Sequence, residues 1–204
     1  MVDLDDTAIS PPPASKAATA LLSLAVGIVL ADSAIVTLAL PSILREFDAE
    51  VSQVAWVLTG FNLVLALAAV PAAKLCTRGA AGYAGAAGLV VFAAASAGCA
   101  LAGSLETLIV SRVAQAIGGA FVIASCLELL VAASRDERRG AARWAAAGVV
   151  GYAIGPVAGG LLTSAIGWQS IFILQVPLVL LALDRKSTRL NSSHIQKSRM
   201  PSSA

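Results

Sequence analysis

From Trp144 to Leu183 the chain runs for forty residues without a single charged side chain. About 20 apolar residues cross a bilayer as a helix, so this stretch is two spans long, and Gly167-Trp168 is the natural turn between them. Similar runs recur upstream. Val51 to Ala73 and Gly79 to Leu105 carry no charge, Ala17 to Leu44 carries only Asp32, and Thr107 to Leu127 carries only Arg112. Such runs are too long and too unalternating for membrane strands, and a single helix satisfies its own backbone in lipid. The expected fold is therefore an all-α membrane protein, a bundle of six transmembrane helices near 17–40, 51–73, 80–103, 106–131, 144–165 and 168–183. Charged residues are only 13% of the chain and mean hydropathy is +0.84. A watered globular domain carries about 25% charge, so that alternative is excluded.

Lys and Arg set the expected orientation. The connection after the second helix holds Lys74 and Arg78, and that after the fourth holds Arg135, Arg138, Arg139 and Arg143. The connection after the first holds only Arg45, among Glu46, Asp48 and Glu50, and the one after the third holds none. Even-numbered connections are the basic ones, which puts both termini on the cytoplasmic side of a multi-pass cell-membrane protein.

Residues 1–16 are acidic and contain Pro11-Pro12-Pro13, which reads as a disordered cytoplasmic lead. Residues 184–204 carry +4 and no apolar period, whereas the rest of the chain carries −2. This tail reads as non-native sequence, and the bundle as 17–183. Without it no basic surface remains for nucleic acid. Cys76, Cys99 and Cys126 are odd in number and scattered along apolar runs, and the one histidine, His194, lies in the tail. A disulfide framework and a metal site are therefore not expected. The Gly-x-x-x-x-Gly-Lys-[Ser/Thr] pattern of a nucleotide site is missing, so no cofactor is implied. An intramembrane enzyme needs paired acids, a Ser/Lys pair or metal ligands, and the apolar body offers none of these.

Two charges stand inside spans, where a carboxylate costs roughly 2.5–3.5 kcal/mol on insertion scales. Such residues mark function by default, with a helix-packing or snorkelling role as the alternative. At 1.5 Å rise per residue, Asp32 sits roughly 13 Å and Arg112 roughly 9 Å below the same surface, close enough for an arginine to reach. They are expected to form a couple in which Arg112 responds to the protonation of Asp32. The alternative is an Arg112 that only ties its helix to a neighbour. Gln115 lies one turn on and can share the network. Gln53, Asn62, Gln115, Tyr152 and Gln175 are candidates for a substrate cavity, with inter-helix hydrogen bonding as the other reading. Trp56, Trp144 and Trp168 are expected in interfacial belts, and Glu128 in an ion pair with the following arginines.

Four patterns arrive in order: Leu30-Ala31-Asp32-Ser33 through Pro41, Arg112-Val113-Ala114-Gln115-Ala116-Ile117-Gly118-Gly119, Gly148 through Gly155-Pro156-Val157-Ala158-Gly159-Gly160, and Gly167-Trp168-Gln169-Ser170-Ile171-Phe172 followed by Val176-Pro177. Over roughly 20–183 the chain resembles the N-terminal half of a major facilitator superfamily transporter, of the fourteen-helix drug:proton antiporter type. The resemblance implies a transporter rather than an enzyme, with proton-coupled efflux of drugs or other small amphipathic molecules. Its implied partners are that substrate, protons, the lipid bilayer and a C-terminal half, without which the chain is expected to be inactive. It assigns proton coupling to Asp32 and Arg112. The antiporter motif falls on Gly148, Gly151, Gly155, Pro156, Gly159 and Gly160, expected as a close rocking surface between halves. It assigns gating to Lys74 and Arg78 in the connection after the second helix. There the family pattern is altered, with Thr77 at its acidic position and Ala80 at its second glycine. That departure leaves a non-transporting scaffold or degenerate paralogue as an alternative, beside a metabolite exporter of the same fold.

Overall fold

The computed structural model describes residues 16–181, which are helical throughout except for short turns. The helices are α1 (Lys16–Glu46), α2 (Val51–Leu75), α3 (Ala81–Ala100), α4 (Leu105–Ser134), α5 (Glu137–Ala165) and α6, which runs over Gln169–Leu181 to the last described residue. A π-helical turn, Cys76–Ala80, joins α2 to α3, and the chain reverses there at Gly79, whose φ of 86° favours a residue without a Cβ. Four helical segments have the length and hydropathy of a membrane span: Lys16–Glu46, Val51–Ala100 as one run through the π turn, Leu105–Ser134 and Glu137–Ala165. The sixth span expected at 168–183 is described over thirteen residues only. The expected lead and tail lie outside the described residues, apart from Lys16.

The helices outrun their apolar stretches. α1 continues through Pro41 to Glu46, α4 continues to Ser134, and α5 begins at Glu137, seven residues before the expected start. At 1.5 Å per residue the 31 residues of α1 reach about 46 Å, beyond a hydrocarbon core of about 30 Å. The apolar run measures the bilayer, and charged helix formers carry the helix out of it. The arginines read as a loop thus lie mostly on the first turns of α5. Local chemistry sets the helix starts. Ser104 and Thr107 form a capping box on α4, and the Asp136 side chain accepts from the Arg139 N–H at 3.2 Å to start α5. Arg135, with φ 51°, ends α4.

Packing gives the directions. Gly27, Ala31 and Ile35 of α1 meet Gly151, Gly155 and Gly159 of α5 in the same order, so these helices run parallel. Asp32 meets Arg112 and Val29 meets Gly119, so α1 and α4 are antiparallel. Gly88 meets Gly118 and Gly98 meets Ser111, so α3 also opposes α4, while α2 runs with α4 through Val57–Arg112 and Leu65–Gly119. Glu46 bonds Trp168, and Asp32 bonds Gln175, which opposes α6 to α1. Alternate helices run in opposite senses, the threading of a chain that crosses one membrane repeatedly.

The glycine stripe of α5, expected as a surface between two halves, packs against α1 inside this bundle. A Cβ on Gly151 would overlap the Gly27 carbonyl, and one on Gly159 would stand 2.8 Å from the Ile35 carbonyl. The stripe brings two backbones together, as small residues do in membrane helices, but the partner is α1. Gly148 abuts Leu30, Gly160 lies beside Leu38, and Pro156 sits within the helix between them.

Two apolar layers fill the interior. One gathers Val26, Val29, Phe92, Val122 and Val179; the other gathers Val36, Ile43, Val57, Leu108, Trp168 and Phe172. On α1 they fall on either side of Asp32.

Candidate functional site

Between those layers lies a band of buried polar side chains: Asp32, Ser96, Arg112 and Gln115 are fully enclosed, and Gln175 is 4% exposed. α1 supplies the acid, α4 the guanidinium and Gln115, α3 the serine, and α6 Gln175. Arg112 Nη1 donates to Asp32 Oδ2 at 2.5 Å and to Gln115 Oε1 at 2.6 Å. Gln115 Nε2 donates to Gln175 Oε1 and to Ser96 Oγ, both at 2.8 Å. Gln175 Nε2 donates to Asp32 Oδ1 at 2.6 Å. Four side chains from three helices therefore close a ring of hydrogen bonds.

The rest of the guanidinium is also placed. Arg112 Nε donates to the Val57 carbonyl at 3.3 Å, and the cation lies over the Phe61 ring with its central carbon 3.9 Å from the centroid. Phe172 flanks it at 5.7 Å. Arg112 Nη2 is buried and without a hydrogen-bond partner. A buried ion pair repays its desolvation only when its remaining polar groups are bonded, and here the carboxylate is served on both oxygens while the cation keeps one nitrogen unspent. The Cys99 thiol donates to Gln115 Oε1 at 3.8 Å. A groove of about 700 Å³ between α1, α5 and α6 reaches the band at Gln175; its walls are apolar apart from Gln175, Ser23 and Arg143.

The sequence candidates divide. Asp32, Arg112, Gln115 and Gln175 come together. Gln53 does not join them: it is exposed, and its Oε1 accepts the Glu50 N–H at 2.9 Å in the capping box of α2. Asn62 is exposed, bonding Leu58 O and accepting from Ser33. Tyr152 is 61% exposed on α5, beside Leu30 and Trp144. Lys74 and Arg78 are exposed in and beside the π turn, without an ion pair among the described residues. Glu128 is half-buried and likewise makes no ion pair among them, and Arg143 donates to Ser134 Oγ at 2.9 Å. Trp168, expected in an interfacial belt, is buried, and its indole N–H donates to Glu46 at 2.7 Å. Trp144 donates to the Ile123 carbonyl, and only Trp56 is largely exposed.

Ser96 and Phe61 are not among the sequence candidates, and Phe172 stands only within the fourth pattern, with no site role. Ser96 carried a signal, as a hydroxyl in the apolar run of α3. The two phenylalanines carried none, because an aromatic in a membrane helix is unmarked until the helices are packed.

A bundle of apolar helices that encloses an acid–guanidinium pair defines a membrane protein with an ionisable centre in its interior. The sequence profile of the Major Facilitator Superfamily matches residues 22–189, and the chain belongs to that family, whose members are transporters and not enzymes. The tetracenomycin C resistance and export protein of Streptomyces glaucescens is 36% identical over 167 residues, covering 80% of this chain and 31% of that protein. The methylenomycin A resistance protein of Streptomyces coelicolor is 37% identical over 161 residues, 76% of this chain and 34% of the relative. The riboflavin transporter RibZ of Clostridioides difficile is 32% identical over 154 residues, 74% of this chain and 34% of the relative. The chain spans about a third of the length of these relatives.

Proposed function

We propose that the chain is the first six-helix part of a proton-coupled exporter of drugs or other small amphipathic molecules. It sits in the cell membrane with both termini cytoplasmic and works with a further bundle that completes the substrate path. The fourteen-helix drug:proton antiporters are the nearest type. The reading rests above all on one observation: Asp32 and Arg112 are bonded to each other at zero exposure, between two apolar layers of a membrane bundle. A group that must be ionised to keep its partner, and that water reaches only when helices part, ties protonation to helix movement. Export by alternating access needs that link. Asp32 takes the proton, Arg112 answers it, and Gln115 and Gln175 hold both in register. The seam of α1 on α5 lets α1 move with α5 as one body. Lys74 and Arg78, at the turn between α2 and α3, contribute to gating.

The test is dye or antibiotic efflux in vesicles holding the complete transporter, energised by a proton gradient. Asp32→Asn abolishes coupled efflux under this reading; wild-type rates in that variant end it. The altered turn, with Thr77 and Ala80, favours a second reading, a membrane scaffold that does not transport. That reading predicts no proton-dependent efflux of any compound. Resemblance to a riboflavin transporter keeps a metabolite cargo in view, and competition between riboflavin and dye decides that point.

A further inference from the structure

The ring around Asp32 has a direction, and Arg112 imposes it. A guanidinium can only donate, so the Gln115 side chain must present its oxygen to Arg112 and its nitrogen to Gln175. Gln175 must then present its own oxygen to Gln115 and its nitrogen to Asp32 Oδ1, a carboxyl oxygen that accepts. With Asp32 as a carboxylate, every donor in the ring meets an acceptor. We infer that Gln175 of α6 is the positioning residue of a two-glutamine relay, which turns a proton arriving on Asp32 Oδ1 into ejection of Arg112 from Gln115. The inference rests on the reading of Asp32 as the proton site.

The steps follow from donor and acceptor counting. A proton on Oδ1 makes an O–H that faces the Gln175 N–H, donor against donor. Gln175 relieves the conflict by turning its amide over, so that Oε1 accepts from the acid. Its nitrogen now faces the Gln115 nitrogen, and Gln115 must turn as well. Ser96 permits this turn: its hydroxyl lies 2.7 Å from the Phe92 carbonyl and 3.2 Å from Gln175 Oε1 while accepting from Gln115, and it can rotate to donate to the reversed Gln115 amide while accepting from the reversed Gln175. The turned Gln115 then points its nitrogen at Arg112 Nη1, where two donors cannot share the space. Arg112 loses its charged partner and its amide partner in one event. Its unspent Nη2 and its seat on Phe61 leave it a cation ready to find other acceptors.

Among the described residues, no charged group other than Arg112 is hydrogen-bonded to Asp32. Asp32 is faced by Arg112 from α4 and, through Gln115, by the Cys99 thiol of α3. α2 brings Phe61, α5 meets this stretch of α1 through Gly155, and α6 brings Gln175. The groove between α1, α5 and α6 reaches the ring at Gln175 and is not lined by Asp32, which places the relay residue, not the acid, at the mouth.

The experiment is a pH titration of the full chain in lipid nanodiscs, with side-chain amide signals of its five glutamines followed by nitrogen-15 NMR and the Asp32 carboxyl by carbon-13. The expected result is that Gln175 and Gln115 shift together, with one midpoint shared with Asp32, while Gln53, whose side-chain oxygen accepts a backbone N–H, does not share that midpoint. Asp32→Asn holds both signals at their acid positions at every pH, because an amide N–H donates where the acid O–H would. Gln175→Leu removes at least half of the acid-induced shift of Gln115. If Asp32 titrates while Gln175 stays still, or if Gln115 responds in full in Gln175→Leu, the relay is wrong and the proton site survives. If Asp32 never titrates, the proton-site reading fails and takes the relay with it. Should Gln175→Leu not fold, the wild-type and Asp32→Asn spectra decide the matter alone.

Discussion

α1 is gripped on two sides by opposite means. Toward α4 and α6 it offers Asp32, and the grip is a set of directed hydrogen bonds to Arg112 and Gln175. Toward α5 it offers Gly27, Ala31 and Ile35, and the grip is steric, with backbones so close that added carbon has no room. The first contact is polar and rests on charge; the second is apolar and rests on shape alone. A helix held this way is anchored to one neighbour and conditionally attached to the others. Under the proposed function, that division would suit a moving part, with a costly buried charge and a side-chain-free seam on the same helix.

The difference can be broken most severely at the charged side. Arg112→Met leaves Asp32 as an unpaired buried carboxylate, and losing one partner of a buried pair costs about 3–5 kcal/mol. Unfolding in mixed detergent, followed by circular dichroism, should show a loss of that size. Removing both charges in Asp32→Leu with Arg112→Met should restore most of the stability, because two buried charges no longer need solvating. If the double variant is as unstable as the single one, the pair is structural in a way that neutral packing cannot replace. On the steric side, Gly151→Ala adds one methyl against the Gly27 backbone. Overpacking of this kind costs about 1–3 kcal/mol, and no second substitution on a polar residue should rescue it. Rescue of Gly151→Ala by a change at Gln175 would show that the two grips are one.

The two sides were not equally readable from the sequence. Asp32 and Arg112 announce themselves, because a charge in an apolar run is expensive and needs a reason. Their depths could be compared because helix rise is constant. Gln115 and Gln175 stood out as polar residues, but so did Gln53, and nothing local separates a ring member from a capping side chain. The Val57 carbonyl and the Phe61 ring were unreadable, since every residue has a carbonyl and every span has aromatics. The glycine stripe of α5 showed that some backbone comes close, and only packing shows that it belongs to α1. Helix ends were misjudged by up to seven residues near Glu137, because hydropathy records where lipid stops and says nothing of where hydrogen bonding stops.

A smaller effect sharpens the comparison at the end of α1, where polar and apolar grips meet. Trp168 is buried against Phe47 and Phe172, and its indole N–H reaches Glu46. Trp168→Phe keeps most of the ring packing and deletes the donor, so a cost of about 1 kcal/mol is expected, smaller in high salt. An equal cost at all salt concentrations would assign it to shape instead of charge.

The smallest effect is expected where charge lies outside the bundle. Arg139 pairs with Asp136 at 3.2 Å, but its side chain is 77% exposed. Water already solvates both groups, and an exposed pair is worth at most about 1 kcal/mol. Arg139→Ala should change stability by less than about 0.5 kcal/mol in the same unfolding assay, since the Asp136 carboxylate still caps α5 through the Arg139 backbone N–H, which alanine retains. Set beside Arg112→Met, it tests whether burial, and not the arginine–aspartate contact itself, gives the interior pair its weight. Equal losses from the two substitutions would overturn that conclusion.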